Sequence, residues 1–136
     1  MSAASNYLEN ALLDHVLANT SYSQPTLYLG LFLNTSTNAA SNLEAGTLTD
    51  EVTTSGSAYA RQTIAFDAAS GGSADNTATV TFPAATANWG TITHVAVMDA
   101  ATSGNVLFYG AVTTSKTIES GDTFQVSAGN LTISLA

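Results

Sequence analysis

The sequence predicts a mainly β protein: an antiparallel β-sandwich, jelly-roll-like in layout, with one N-terminal α-helix. Past Ala58, runs rich in Val, Ile, Thr and aromatics recur at residues 78–82, 91–98, 105–112, 123–126 and 131–135, separated by Ser-Gly, Gly-Asp and Gly-Asn turns. Only one stretch, near the N-terminus, carries a helical period. The 136 residues suffice to bury roughly two thirds of the unfolded surface, so one such domain can stand without disulfides or metal.

Residues 5–18 are the expected helix. Leu8, Leu12 and Val16 recur at i, i+4 and i+8 with Ala11 beside them, while Glu9, Asn10 and Asp14 lie mostly off that stripe. Asn6 with Glu9 forms the expected N-cap pairing, and Asn19-Thr20-Ser21 the stop. The stripe is expected to cover an open end of the sandwich; the competing reading makes the helix a docking or oligomerisation arm. Residues 26–33 put Leu27, Leu29, Leu31 and Leu33 on one face and Tyr28, Gly30 and Phe32 on the other, as in a central strand covered on both sides, with the helix a candidate cover for one. Residues 34–57 lack Phe, Tyr, Trp and Ile and carry Glu44, Asp50 and Glu51, which reads as a long exposed acidic loop. Residues 59–66 resume the strand pattern, 69–74 form a flexible connection, Pro83 ends a strand, and 84–90 connect onward through Trp89. The last strand alternates Leu131, Ile133 and Leu135 with Thr132 and Ser134. No repeat or linker divides the chain, so residues 1–136 are read as one domain.

Composition excludes several classes of function. Ten acids face only Arg61 and Lys116, for a net charge of −8, which repels phosphate backbones; no nucleic acid is expected as a partner. With no cysteine, thiolate metal sites, thiol nucleophiles and redox pairs are ruled out. The N-terminus has no basic segment followed by an apolar one, and no run nears the ~18 apolar residues of a membrane span, so neither a signal peptide nor a membrane is expected. Only 9% of residues are charged, far below the roughly one quarter of ordinary soluble chains, and 21 Thr and 15 Ser supply most of the polarity. A surface with so little like-charge repulsion favours packing against other proteins.

No pattern of residues assembles into a catalytic site. His15 and His94 lack metal-ligand spacing, and His94, in step with Ile92, Ala96 and Met98, reads as a core or interface histidine. There is no Gly-x-Ser-x-Gly elbow. Asp50 and Glu51 are adjacent acids in an aromatic-free stretch, read as solvated side chains rather than a glycosidase pair. The turns around Asp75 and Asp122 do not match a calcium loop, and two short Thr-x-Thr pairs make no ice-binding array. Arg61, one of two cations, is expected to pair with an acid such as Asp67 or Asp99, or with an acid of a neighbouring subunit. No catalytic, cofactor or metal residue is assigned. The structural or interface candidates are Arg61, Tyr59, His94, Trp89, Leu8, Leu12 and Val16.

The motifs Asn6-Tyr7-Leu8-Glu9-Asn10, Leu27-Tyr28-Leu29-Gly30-Leu31-Phe32, Tyr59-Ala60-Arg61-Gln62, Val80-Thr81-Phe82-Pro83-Ala84-Ala85, Asn88-Trp89-Gly90-Thr91-Ile92-Thr93-His94, Asp99-Ala100-Ala101 and Leu107-Phe108-Tyr109-Gly110-Ala111 follow in order. From about Tyr7 to Leu135 the chain thereby resembles small virion proteins of tailed double-stranded DNA bacteriophages, labelled tail-fibre-like and in some cases capsid decoration (cement) proteins. That resemblance implies a non-enzymatic structural protein on the virion's outer surface, made in the host cytoplasm. The first expectation is a decoration protein that binds the major capsid protein and reinforces subunit contacts, as a homo-oligomer with a trimer as first guess. The alternative is a tail-fibre or baseplate module that recognises a host receptor or glycan. Members of the family tend to join the leucine strand to Tyr-Ala-Arg-Gln by a shorter Gly-rich stretch than residues 34–57.

Overall fold

A computed structural model describes residues 2–135 of the chain. In order along it run β1 (Ala3–Ala4), α1 (Asn6–Leu17), β2 (Tyr28–Phe32), α2 (Ala39–Glu44), β3 (Gln62–Thr63), β4 (Ser73–Asp75), β5 (Val80–Thr81), β6 (Gly90–Met98), β7 (Val106–Ile118), β8 (Gln125–Val126) and β9 (Thr132–Ser134). The fold is mainly β and antiparallel, with one principal helix at the N-terminus, as the sequence predicts. A five-stranded sheet has the order β1-β7-β6-β2-β3, and two short ribbons, β5-β8 and β4-β9, form the opposing layer.

Side-chain alternation along β2 sets the two faces of the sheet. Leu29 and Leu31 look into the main core, where Ile92 and Val95 of β6 meet Val80, Phe82 and Phe124 from the β5-β8 side. Tyr59, Phe82, Trp89 and Phe124 form the aromatic centre of that core: Trp89 stands edge-on to Tyr59 at 5.5 Å and 83°, and Phe82 edge-on to Phe124 at 5.8 Å. Phe32 looks the other way, onto Ala96, Met98, Val106 and Leu43. Thus β2 is covered on both faces as expected, but the helix over its Phe32 face is α2, not α1.

That finding corrects the expectation for residues 34–57. Most of the segment is exposed, as expected, but it is not all loop: it holds α2, and Ala39, Leu43, Asp50, Val52 and Ser57 are at most 2% exposed. Ala39 and Leu43, four residues apart, lie on one face of α2 and pin it to the sheet. The backbone then runs beside β2, with Leu33 N–H donating to the Asp50 carbonyl (2.8 Å) and Val52 N–H to the Leu31 carbonyl (3.1 Å). The strand expected over 59–66 shortens to Gln62–Thr63; Ile64 N–H still donates to the Leu27 carbonyl (3.0 Å), and Phe66 bridges to Asn76 instead.

The N-cap of α1 is Ser5 rather than Asn6. The Ser5 hydroxyl accepts from Leu8 N–H (3.2 Å) and donates to the Val106 carbonyl, tying the helix start to β7. Asn19 takes the left-handed conformation (φ 56°) that ends a helix, as the stop signal predicts. Burial does not follow the whole Leu8-Leu12-Val16 stripe. Leu8 is buried with Val97 and Leu107, Leu12 is partly covered, and Val16 is 74% exposed. Only the first half of α1 lies on the body; the second half overhangs it.

Two irregularities in β6-β7 place side chains that strict alternation would misdirect. Between Val97↔Phe108 and Met98↔Val106 the β7 strand carries an extra residue, so Leu107 and Phe108 both reach the Leu8 layer. Between Ile92↔Lys116 and His94↔Ala111, residues 112–115 form a bulge opposite Thr93, with Val112 packed against the main core. His94 therefore shares a face with Ala96 and Met98, whereas Ile92 turns into the opposite core, which corrects the expectation that all four point together. The turn from β6 to β7 admits only glycine at 104: at φ 73°, a Cβ there would lie 2.5 Å from Asp99 Oδ1.

The partial seating of α1 gives a direct test. Leu8→Ala should cost about 2–4 kcal/mol by cavity formation, while Val16→Ala should change stability by no more than about 0.5 kcal/mol. Urea unfolding of the two variants measures both, and equal losses would contradict the overhang.

Candidate functional site

A dense polar cluster surrounds Glu51. Arg61 donates from Nε to Glu51 Oε2 (2.7 Å) and from Nη2 to Oε1 (2.8 Å), the two-pronged geometry that guanidinium and carboxylate allow. The Tyr59 hydroxyl donates to the same Oε2 (2.7 Å) and itself accepts from Leu31 N–H (3.0 Å). The free prong of Arg61, Nη1, donates to the carbonyls of Ala100 (2.7 Å) and Ser103 (2.8 Å) in the β6-β7 turn. One arginine thus binds the end of the 34–57 segment, the edge of β2 and that turn. Its side chain is 2% exposed and that of Glu51 17%. Arg61 does pair within the chain, but with Glu51 rather than Asp67 or Asp99. Asp99 is occupied elsewhere, accepting from Asn105 N–H (2.7 Å) and Nδ2 (2.9 Å).

Gly30 lets the clasp lie close against β2. A Cβ at that position would sit 3.1 Å from the Phe32 ring, 3.4 Å from Glu51 Oε2 and 3.5 Å from the Tyr59 hydroxyl. Burial, reinforced by the negative charge of Glu51, raises the Tyr59 pKa, so its hydroxyl stays a donor to the carboxylate.

Asp50 and Glu51 are not solvated acids, which overturns the sequence reading of both. Asp50 accepts from Ser36 Oγ (2.5 Å) and N–H (3.0 Å), Thr35 Oγ1 (2.9 Å) and Asn42 Nδ2 (3.4 Å). The Ser36 side-chain bond foremost, with help from the Ser36 backbone, Thr35 and Asn42 and against the cost of burial, holds its pKa below the ordinary 3.8. Both carboxylates are committed to holding the segment in place.

The other candidate residues separate by location. Trp89 is buried, its Nε1 donating to the Ser57 carbonyl (2.7 Å), and it shares the aromatic core with Tyr59. His94 is half-buried, its ring nitrogen 2.8 Å from Thr93 Oγ1, and burial lowers its pKa despite the opposing pull of Asp50. Leu8 is core, Leu12 its margin and Val16 surface. Sequence reasoning missed Glu51 as the arginine's partner, and also Leu13 and Leu17, which expose 56% and 77% of their surface on α1. Their spacing with Val16, at i, i+3 and i+4, was the available signal.

Two clefts open on the surface. One, of about 330 Å³, lies between β6-β7 and the chain leading into β9, with Val95, Tyr109, Phe124 and Asn130 in its walls. The other, of about 260 Å³, lies under the β4-β9 ribbon and is walled by Leu27, Phe66, Leu107, Phe108, Ile133 and Leu135. Neither contains Asp50, Glu51 or His94. Among the described residues, no group of three or more His, Asp or Glu could hold a metal ion, and no helix is long and apolar enough to cross a membrane.

Residues 3–134 match the family model described as Podophage GP4 fiber I protein gp80. The chain belongs to this family. It is accordingly a structural protein of a phage virion, fibre-like in kind. No curated protein matches it. In this fibre family member the best-built polar site is a structural clasp, and the apolar residues left on the surface are gathered on α1 and beside one cleft.

Two predictions come from the clasp. Arg61→Met leaves the Glu51 carboxylate desolvated without its partner and should cost about 3 kcal/mol in urea unfolding. Arg61→Lys should recover only part of that loss, because an ammonium cannot hold Glu51 with two prongs and reach Ala100 and Ser103 as well. Asp50 predicts an acid dependence. Because its folded pKa is depressed, its contribution is complete above the unfolded value of 3.8 and is lost as pH falls through the lower folded value. Ser36→Ala should reduce the loss of stability below pH 3.8, measured by unfolding across an acid series.

Proposed function

We propose that the chain is a non-catalytic building element of a virion fibre, positioned on the outside of the particle and held by other tail proteins of the same virion. The family match over residues 3–134 carries this reading, because the family's description names a fibre protein. The chemistry of the chain supports it. The paired acids that could suggest hydrolysis are engaged by Arg61, Tyr59, Ser36, Thr35 and Asn42, and the polar interactions are directed inward to rigidity. A low-charge surface suits repeated packing against protein neighbours.

Capsid decoration, with the major capsid protein as partner, is the competing assignment. Copy number separates the two. Quantitative mass spectrometry of purified particles should find this chain at a stoichiometry matching the fibre set, far below that of the major capsid protein. Hundreds of copies per particle, or antibody label spread over the head, would overturn the fibre assignment in favour of decoration.

A further inference from the structure

Two backbone edges face each other across the 330 Å³ cleft. The first belongs to β7, where Ser5 N–H donates to the Leu107 carbonyl (2.9 Å) and Ala3 pairs with Tyr109. In an antiparallel ladder every second residue turns its backbone N–H and C=O to the same side, so Ala111 continues the outward set of Leu107 and Tyr109. The second edge belongs to β9. Leu131 and Leu135 are bonded on the β4 side, with Asn76 N–H donating to the Leu131 carbonyl (3.1 Å) and Leu135 N–H to the Gly72 carbonyl (2.9 Å). Ser134 N–H turns the other way and donates to Ser2 Oγ (3.1 Å). Thr132 shares the parity of Ser134 and so presents its own N–H and C=O on that same side. Both Ala111 and Thr132 line the cleft. At one end of this gap the chain's own β1 lies between the two edges, with Ala3 paired to β7 and Ser2 bonded to β9, and the cleft prolongs the line of β1.

We propose that the cleft receives one extended segment of another protein of the same virion, which continues the line of β1 and hydrogen-bonds Ala111 on one side and Thr132 on the other. The source of the segment rests on the reading above that other tail proteins hold the chain, whereas the capacity of the cleft to take a strand does not. The walls define the chemistry of the occupant. Val95, Phe124, Val126 and Leu131 bring the main core to the cleft, and no charged side chain lines it among the described residues. An apolar cavity of about 150 Å³ takes a benzene-sized group, so about 330 Å³ suits two aliphatic side chains at alternate positions of one strand. The entering residues are therefore uncharged and apolar at every second position.

Charge sets what flanks them. The chain carries −8, which favours a segment with lysine or arginine just outside the cleft and disfavours a second copy as its source. The ladder is also short, because the bulge of residues 112–115 interrupts β7 directly after Ala111. A strand bonded on both of its sides leaves no new edge, so the addition ends with one segment.

Overlapping synthetic peptides covering the other structural proteins of the same virion, titrated onto the purified chain, test the proposal. At least one peptide of the expected pattern should bind and slow hydrogen exchange at the Ala111 and Thr132 amides. N-methylation of its alternate amides should weaken binding by at least about tenfold, since the ladder is lost while the side chains remain. Ala111→Pro, a substitution that an outward-facing edge position tolerates, should weaken binding to a similar extent, and the N-methylated peptide gives the same information if that variant fails to fold. The proposal is overturned if no such peptide binds, if binding ignores N-methylation, or if the protected amides lie elsewhere. Binding confined to peptides of this chain's own sequence would overturn the choice of a foreign segment. A peptide of the major capsid protein seated in the cleft would uphold the strand-receiving site and overturn the fibre assignment instead.

Discussion

The bidentate contact between Arg61 and Glu51 is the constraint on which the rest of the architecture leans. Residues 34–57 bring few large apolar groups, so burial of Leu43, Val52 and Ala39 alone is a modest anchor for so long a segment. The arginine supplies what is missing. It fixes the end of that segment beside β2, and its third nitrogen closes the β6-β7 turn, so the two halves of the chain meet at one side chain. The clasp also solves a backbone problem. Past the short β3 the edge of β2 has no further strand partner, and Leu31 is satisfied instead by the Tyr59 hydroxyl and by Val52.

Much of this was legible in the sequence wherever side-chain chemistry and period agreed. The strands of the second half carry β-branched and aromatic residues between turn signals, and both β6 and the start of β7 lie where that pattern puts them. That β2 is covered on both faces followed from its apolar residues, although the middle strand of the sheet is β6. Less legible were elements whose stability comes from elsewhere. The two alanines of β1 hold no strand signal and pair with Tyr109 and Phe108 only because Ser5 anchors the neighbouring helix. The six residues of α2 are too few for a period, and what fixes them is burial of Ala39 and Leu43. The end of β7, Lys116-Thr117-Ile118, follows a polar run and is a strand because Ile92, Thr91 and Gly90 pair with it.

The candidate site was legible only in its scarcity. With two cations in the chain, a buried role for Arg61 could be anticipated, yet its partner could not, because Glu51 becomes available only once α2 turns the chain back along β2. His94 shows the same limit from another side. Residue parity places it with Ile92, but the bulge opposite Thr93 reverses that parity within two positions. Local irregularities of this kind arise from tertiary packing and leave little trace in periodicity.

The bulge of residues 112–115 has its own bearing on life in a particle. Beyond residues 106–109, which Ser5 and β1 cover, no strand among the described residues pairs with the outer edge of β7, and a straight open edge invites strand-to-strand fusion when identical chains are crowded together. Here the edge is broken midway by the bulge, and Lys116 follows it, so a neighbour meets neither a straight ladder nor a neutral one. Crowding on a virion can then proceed through side-chain surfaces without drifting into open-ended fibrillar stacking.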